Sequence, residues 1–412
     1  MYISNTVENS ITNKKLRAFV IVFLMTSIVM STYGFGRYLF PIIIPDMMKD
    51  IQFSYLTVGL ITGGNQICYL SFSYFSGQLT KRISAGILVI SSILLCSSIL
   101  TALYFIENIW IIGILISSLG IFTATSWVPM VNIVTEVVSP DHRSKALGLI
   151  SSGTSYGLLI SGVAVPYILL NYNWQTVWLV FGIFALIIAF LGLLFFIQWN
   201  LFADKSKKGK NTEKKSIQLN STEIRFQIFY LVTIMFFTGL TLVPFKNYII
   251  PYVRSELGFS VELAGQLWSV IGILGICSGF LVGAIADKIS IRLTLKLSYL
   301  FIVLASFLLS FCPTYFTILL AGFLFGAAFF GIFGLIPSYI SKIIPSDNPA
   351  AVFGITNLAL GIGSAAGNYL CGWVKYLTGS FIYIFIGILI ICFFLIFVLK
   401  RLRNDKVAEV NS

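Results

Sequence analysis

Charged residues are scarce in this 412-residue chain, since Asp, Glu, Lys and Arg make up only 10% of it and it contains a single histidine. About a quarter of the residues of a soluble globular domain are charged. Here 58% of the residues are hydrophobic and the mean hydropathy is +0.94. The shortage of charge therefore excludes a soluble domain and predicts a protein embedded in a membrane.

The chain also lacks the residue patterns of a catalytic or metal site. It has no Gly-x-Ser-x-Gly elbow and no phosphate-binding glycine loop, and its one histidine, His142, lies in a predicted loop. The six cysteines fall in or beside apolar segments without metal-ligand spacing, so we expect them to be small buried hydrophobic residues. We predict that the protein is not an enzyme and has no cofactor, metal site or disulfide.

Long apolar runs account for most of the sequence. A helix needs about 20 apolar residues to cross the hydrocarbon core of a bilayer. Twelve runs meet this length: 18–45, 55–79, 86–105, 109–138, 146–170, 176–198, 226–252, 263–286, 293–312, 315–343, 351–376 and 380–400. They predict an all-α polytopic membrane protein of twelve transmembrane helices, the first of which is interpreted as permanent because no small-residue cleavage site accompanies it.

A charged stretch divides the chain in the middle. It contains the lysine-rich segments Asp204–Lys210 and Lys214–Lys215 and has low hydrophobicity. We predict an N-terminal six-helix half over 1–198, a cytoplasmic basic linker over 199–225 and a C-terminal six-helix half over 226–412.

The two halves match each other when one is shifted by 206 residues. The shift pairs identical residues in several helices, among them Pro45 with Pro251, Gly59 with Gly265, Gly120 with Gly326 and Gly157 with Gly363. Apolar composition alone produces chance matches, but one constant shift over several helices favours a duplicated six-helix unit. Parallel repeats of this kind are typical of transporters whose substrate site lies between the two halves.

Most of the 27 lysines and arginines fall on one side of the predicted helices. Cytoplasmic loops are enriched in basic residues, so we predict a multi-pass protein of the plasma (inner) membrane with both termini and the linker in the cytoplasm. The basic residues are spread between apolar segments rather than gathered on one face. The net charge of +12 therefore does not indicate nucleic-acid binding.

A distinctive loop follows the eighth predicted helix. Its sequence, Gly283-Ala-Ile-Ala-Asp287-Lys288-Ile-Ser-Ile-Arg292, resembles the signature loop G-x-L-A-D-R-x-G-R-R of the major facilitator superfamily. The resemblance implies secondary transport by two rocking halves of six helices. It also implies a conformational latch on the cytoplasmic side formed by Gly283, Asp287, Lys288 and Arg292.

The first-half copy of this loop contributes Gly77 and Arg82 to the predicted latch, although Lys81 stands where the family has aspartate. The alternative is that both loops only anchor the helix ends through their positive charge. Within the superfamily, Gly34-Phe-Gly-Arg-Tyr38 and Asn173-Trp-Gln-Thr-Val-Trp178 resemble the YbfB/YjiJ-type branch of bacterial transporters. That branch is similar to monocarboxylate and oxalate/formate carriers.

Two basic residues lie inside predicted helices. Arg37 is about 12 Å from the helix end at Pro45, and a guanidinium near mid-membrane costs about 2.5–3.5 kcal/mol. We therefore expect Arg37 to face a cavity and bind an anionic group, because its fork matches a carboxylate or phosphate. Lys246 lies one turn from the position that the repeat pairs with Arg37. For both residues the alternative is that the side chain snorkels to the membrane surface.

Polar and aromatic residues of other helices complete the candidate binding site: Tyr33, Asn65, Gln66, Trp127, Tyr156, Asn247 and Asn357. Any single asparagine is equally well explained by a hydrogen bond to a neighbouring helix, worth about 0.6 kcal/mol on average. No aspartate or glutamate lies deep in an apolar run. This absence disfavours a carboxylate proton carrier and leaves facilitated diffusion, anion exchange or a proton that arrives with the substrate.

The sequence thus predicts a secondary active or facilitative transporter that moves a small solute, preferably an organic anion such as a carboxylate, by alternating access. One alternative is a multidrug- or siderophore-type efflux transporter with an aromatic cavity around Trp127 and Tyr156. Another is a non-transporting receptor or scaffold, which the short tails disfavour. Expected partners are the substrate, a coupling proton or counter-anion and membrane lipid, without nucleic acid, and the protein is expected to be a monomer.

Overall fold

The computed structural model describes residues 2–202, 222–343 and 349–405, with side chains from Leu16 onwards. These residues are helical apart from short connections and contain no strand. Twelve long helices follow one another: Leu16–Asp50 (α1), Tyr55–Leu79 (α2), Ala85–Phe105 (α3), Ile109–Val137 (α4), Pro140–Asn171 (α5), Trp174–Gln198 (α6), Ile224–Glu256 (α7), Val261–Lys288 (α8), Ile291–Phe311 (α9), Tyr315–Ile343 (α10), Pro349–Thr378 (α11) and Ile382–Arg401 (α12).

The predicted twelve-helix fold is confirmed, and most of the predicted linker 199–225 lies outside the described residues. The exact division into 1–198, 199–225 and 226–412 stays a prediction. The 206-residue shift also relates the helix bounds, because it superimposes α3 on α9 and α4 on α10 at both ends.

Serine residues at equivalent positions begin the equivalent helices. Ser54 and Ser260 precede α2 and α8, and each accepts a hydrogen bond from the backbone N–H three residues later. Ser84 and Ser290 do the same for α3 and α9. A serine cap is worth about 1 kcal/mol, so the same local signal sets these helix starts in each repeat.

Ten of the helices are apolar and long enough to cross a membrane by composition alone, and α2 and α11 are the two exceptions in the described part of the chain. These two helices pack extensively against each other, and α5 packs in the same way against α8. Both pairs join the first six helices to the last six. The two helices of lower hydropathy thus lie at the contact between the two sets.

The two sets of helices touch closely at one end of the bundle. We call this the sealed end; it contains the α1–α2 and α7–α8 connections. Gly59 of α2 lies against the Asn368 carbonyl of α11, and Gly265 of α8 lies against Gly162 and Pro166 of α5. Without side chains at these glycines, the helix backbones can approach directly.

The opposite end, which we call the linker end, is open between the two sets of helices. Side chains added at Gly77 of α2, Gly148 of α5, Gly283 of α8 or Gly354 of α11 would meet nothing within 4 Å. Leu149, beside Gly148, and Phe353, beside Gly354, are also exposed. The bundle therefore has one closed and one open end.

The cysteines only partly follow the sequence expectation of burial. Cys96 and Cys392 are buried, but Cys277 and Cys312 are exposed. The expectation is wrong for those two because an apolar helix leaves part of its surface outside the protein core, as at Cys277, and Cys312 lies beyond the last residue of α9.

The crossing of α1 and α5 gives a matched test of backbone packing. A methyl group at Gly157 would collide with the Cα atom of Gly34, whereas one at Gly148 in the same helix meets open space. Gly157→Ala should lower stability by about 1–3 kcal/mol through overpacking. Gly148→Ala should be neutral or stabilise by up to about 1 kcal/mol, since alanine is the better helix former. Thermal unfolding in detergent compares the two variants, and equal melting temperatures would contradict the close crossing.

Candidate substrate site

The site begins with a change of helix geometry in α1. Between Met30 and Phe35 the helix makes a π turn rather than an α turn. Such a turn accommodates an extra residue and is frequent at functional sites, and each residue rotates an α-helix by about 100°. Gly34 lies inside the turn, against Gly157 of α5. The turn therefore fixes the direction in which the next residues, including Arg37, leave the helix.

Arg37 points from α1 toward α2. Its Nη2 atom donates a hydrogen bond to Oε1 of Gln66, and its Cζ atom lies 4.5 Å from the centre of the Tyr69 ring. Within the described residues no carboxylate pairs with it. The guanidinium is thus held by an amide and an aromatic face, and its positive charge is not neutralised.

Lys246 of α7 is fully buried, and its Nζ atom has no hydrogen-bond partner among the described residues. Nζ lies 3.0 Å from the centre of the Tyr38 ring and 5.0 Å from that of Phe329. A desolvated cation–π contact contributes about 2 kcal/mol or more, whereas burying an ion costs several kcal/mol after relaxation. The aromatic rings therefore offset only part of the cost of an ammonium group here.

Tyr38 connects the two basic residues. Its ring centre lies 5.8 Å from Cζ of Arg37, on the same ring that covers Lys246. A small pocket opens beside it between the two sets of helices, lined by Arg37, Tyr38, Phe40, Thr62, Asn65, Gln66, Ile116, Val243 and Asn247. Val243, the repeat counterpart of Arg37, lines the same pocket. Equivalent positions of the two repeats thus meet at one place.

Three of the predicted aromatic and amide residues belong to the same region, because Tyr33 and Trp127 form a cluster with Tyr69, the ring that faces Arg37, and Asn65 lines the pocket. The Tyr33 ring packs edge-on against Tyr69 and Trp127, with centroids 6.2 Å and 6.3 Å away. Asn65 donates to the Ile116 carbonyl at 2.8 Å. The aromatic cluster and the pocket are therefore continuous around Arg37.

The remaining predicted binding residues are less close to that centre. Asn247 lines the pocket but donates to Asn368 Oδ1 at 2.7 Å, which joins α7 to α11. Tyr156 is half-buried in α5, next to Gly157. Asn357 is exposed on the linker side of α11, eleven residues from Asn368 and so about 16 Å along the helix. Whether these residues bind substrate stays a prediction.

The predicted latch residues lie at the open linker end. Gly77, Arg82, Asp287 and Lys288 are exposed, and Gly283 is half-buried with free space in front of it. Their role as a latch stays a prediction.

Arg292, the last residue of the loop motif, bonds to the segment after α12. Its Nη1 atom donates to the Leu402 carbonyl at 2.8 Å. Asp405, only 2% exposed, accepts from the backbone N–H groups of Ile291 and Arg292 at 2.9 Å and 3.3 Å. The segment after α12 therefore caps α9, and a carboxylate is favourable at a helix N-terminus.

Sequence reasoning missed the polar contacts that close the sealed end. Arg254 of α7 forms an ion pair with Asp46 of α1, with Nη2 3.0 Å from Oδ1, and the two side chains are only 9% and 17% exposed. Tyr55 donates to Ser255 at 3.0 Å beside them. The sequence contains a signal for this ion pair. Asp46 and Arg254 come shortly after Pro45 and Pro251, which the repeat aligns. Opposite charges therefore stand at matching ends of α1 and α7.

A family model of the Major Facilitator Superfamily matches residues 26–368. The chain belongs to the major facilitator superfamily. Two solved transporter structures have a similar fold. The chain resembles a bacterial homologue of the human lysosomal transporter Spinster, in an inward-facing, unoccupied conformation, with TM-score 0.72 and 13% identity over 93% of this chain and 97% of that one. It also resembles a mutant of the nucleoside transporter NupG, with TM-score 0.75 and 11% identity over 92% and 99%.

Curated relatives are more similar in sequence but over a shorter stretch. The multidrug resistance protein MdtG of Salmonella schwarzengrund (strain CVM19633) is 25% identical over 257 residues, which is 62% of this chain and 63% of that protein. MdtG of Salmonella typhimurium is 24% identical over the same length. The chain therefore spans less than two thirds of these relatives. The YbfB/YjiJ-type branch of the superfamily stays a prediction.

The sealed end of this superfamily member yields a second prediction. Asp46→Asn removes the charged partner of Arg254, and because the two side chains are only 9% and 17% exposed the loss should cost more than about 1 kcal/mol, the value of a surface pair. We expect the sealed end to open in a larger fraction of molecules. Pulsed EPR between spin labels on Gln52 and Glu262, both exposed at this end, should show a longer-distance population.

Two controls distinguish loss of the ion pair from a nonspecific effect of the substitution on the fold. Lys49→Gln removes a side chain that is 69% exposed and 3.6 Å from Asp46, so the distances should stay as in the parent protein. The charge swap of Asp46→Arg with Arg254→Asp should restore the short distance. Unchanged distances in Asp46→Asn would contradict a closing role for the pair.

Proposed function

We propose that the chain transports a small organic anion, such as a carboxylate, by alternating access, with Arg37 as the principal binding residue. The observation that carries this proposal is the state of Arg37. Its guanidinium is half-buried at a pocket between the two sets of helices and has only Gln66 and Tyr69 as partners. A guanidinium fork binds a carboxylate through two parallel hydrogen bonds, and here no protein carboxylate occupies that position within the described residues.

The charges around the pocket support an anionic substrate. Arg37 and Lys246 both approach the Tyr38 ring. The nearest carboxylate along α1, Asp46, pairs with Arg254 at the sealed end. In a medium of low dielectric constant, the unneutralised guanidinium of Arg37 attracts an anion strongly and repels a cation with similar strength. The small size of the pocket favours a small acid over a bulky one.

A second candidate function is efflux of larger drug-like compounds. It is favoured by the similarity to proteins named for multidrug resistance and by the aromatic cluster of Tyr33, Tyr69 and Trp127. The aromatic rings of this cluster can stack on flat apolar molecules. The two basic groups argue against cationic compounds, so this candidate narrows to neutral or anionic ones.

We further propose that both termini face the cytoplasm, because the basic residues concentrate on that side. The open linker end then faces the cytoplasm, and the sealed end faces outward. Opening of the sealed end and closing of the linker end would expose the same pocket on the other side. Transport of the substrate is coupled to a proton or to a counter-anion. The carrier works as a monomer in the lipid bilayer.

The proposal is tested with purified protein and a panel of small carboxylates, organic cations and neutral compounds. A compound that binds the folded state preferentially raises the melting temperature. We expect carboxylates to raise it and organic cations to leave it unchanged. A panel in which only bulky aromatic compounds bind would favour the efflux candidate instead.

The role of Arg37 is tested by Arg37→Lys. The variant keeps the positive charge but loses the bidentate fork, so we expect transport of the stabilising carboxylate by proteoliposomes to fall at least about tenfold, equivalent to about 1.4 kcal/mol. Arg225→Lys, the same change at an exposed position, is the control. Normal transport by a folded Arg37→Lys variant would contradict the proposed binding site.

A further inference from the structure

We propose that Lys246 is the proton-binding group of this carrier. In the empty protein its side chain is a neutral amine, and it becomes an ammonium group when a carboxylate binds at Arg37. The inference rests on the proposed anion transport and adds to it a coupling ion and the residue that holds it. The carrier is then a proton–anion symporter.

The first support is the environment of Nζ. Lys246 has no exposed surface, and Nζ has no acceptor among the described residues. Buried charges are normally paired, because an uncompensated ion in the interior is strongly disfavoured. An amine can point an N–H group at the Tyr38 ring, 3.0 Å from its centre, and needs no counter-ion.

The second support is the set of charged and titratable groups that face Lys246. Helix α1 contributes Arg37, a permanent cation, and Tyr38, and α10 contributes the apolar Phe329. Helix α2 contributes Tyr69, which faces Arg37. On the α11 side, Asn247 is bonded to Asn368. These described neighbours add positive charge or none, so they all disfavour a second cation in the empty site.

Within the described residues, the carboxylates nearest to Arg37 along α1 and to Lys246 along α7 are already engaged elsewhere. Asp46 lies nine residues beyond Arg37, about 13 Å along the helix, and pairs with Arg254. Glu256 lies ten residues beyond Lys246 and accepts from Lys375 at 2.6 Å. A negative charge beside Lys246 must therefore come from the substrate.

Binding supplies that negative charge together with a proton. A carboxylate on Arg37 lies next to Tyr38, and movement of this ring exposes Nζ to the bound anion. A proton from the water of the open end forms a new N–H bond with the lone pair of Nζ. The site then holds two cations and one anion, so its net charge equals that of the empty site with Arg37 alone. Loaded and empty carriers can thus rock with the same local charge.

The test measures proton uptake during binding. Sodium salts of acetate, lactate, benzoate, oxalate and succinate, set to the pH of the sample, are added to full-length protein in weak buffer with an indicator dye. Melting temperatures are measured in parallel. Salts that raise the melting temperature should cause uptake of about one proton per protein, and Lys145→Met, a change at an exposed lysine, should behave as the parent protein does.

Two variants of Lys246 decide the assignment. Lys246→Arg carries a permanent charge, so the same salts should bind without proton uptake, and a proton gradient should no longer drive their accumulation in proteoliposomes. Lys246→Met cannot accept the proton and should also show no uptake. Using both variants keeps the test valid if one of them fails to fold.

The outcomes separate this inference from the proposed function. Carboxylate binding to the parent protein without proton uptake would overturn the role of Lys246 and leave anion transport intact. Uptake that persists in Lys246→Arg would assign the proton to another group and overturn it too. If none of the five salts binds, the proposed anion site itself is wrong, and the inference falls with it.

Discussion

A positive charge inside a membrane helix must be held by the protein, and the arrangement of this bundle depends on that constraint. Arg37 is accommodated by an amide and an aromatic face, Gln66 and Tyr69 of α2. The π turn that aims it is possible because Gly34 lets α5 pack against the α1 backbone. These contacts hold the guanidinium in place without neutralising its charge. The structure thus keeps a cation at the contact between the two sets of helices.

The two ends of the bundle differ in the contacts between the two sets of helices. At the sealed end, glycine contacts are reinforced by the ion pair of Asp46 with Arg254, which has little exposure to solvent. At the linker end, Gly77 and Gly354 face open space, and the connections are basic. The proposed alternating access requires contacts at the sealed end to break and new ones to form at the linker end. Because interior packing is close and bistable rather than elastic, such a change is expected to involve whole helices.

Much of the fold was predictable because the bilayer fixes helix length and composition. Helix α10 was predicted with both ends correct, and the 206-residue repeat reappears in the helix bounds. The position of Arg37 was also predictable, since a lone charge in an apolar run needs a protein environment. The π turn was not, because it depends on how α5 packs against α1.

The burial of Lys246 could not be derived from the sequence either. Its distance from Pro251 allowed snorkelling, and only the rotation of α7 places Nζ under Tyr38. Likewise Arg292 bonds to Leu402, more than a hundred residues away, a contact that a local loop motif does not encode. In each case the missing information is the tertiary packing of one helix face.

The most direct test of the anion site is a distance measurement between substrate and protein. Solid-state NMR recoupling between a labelled carboxylate carbon and labelled arginine guanidinium nitrogens reports contacts within hydrogen-bonding range. The account predicts a contact for a carboxylate that stabilises the carrier, and its loss in Arg37→Lys. A bound carboxylate without any arginine contact, or with a contact that survives Arg37→Lys, would contradict it.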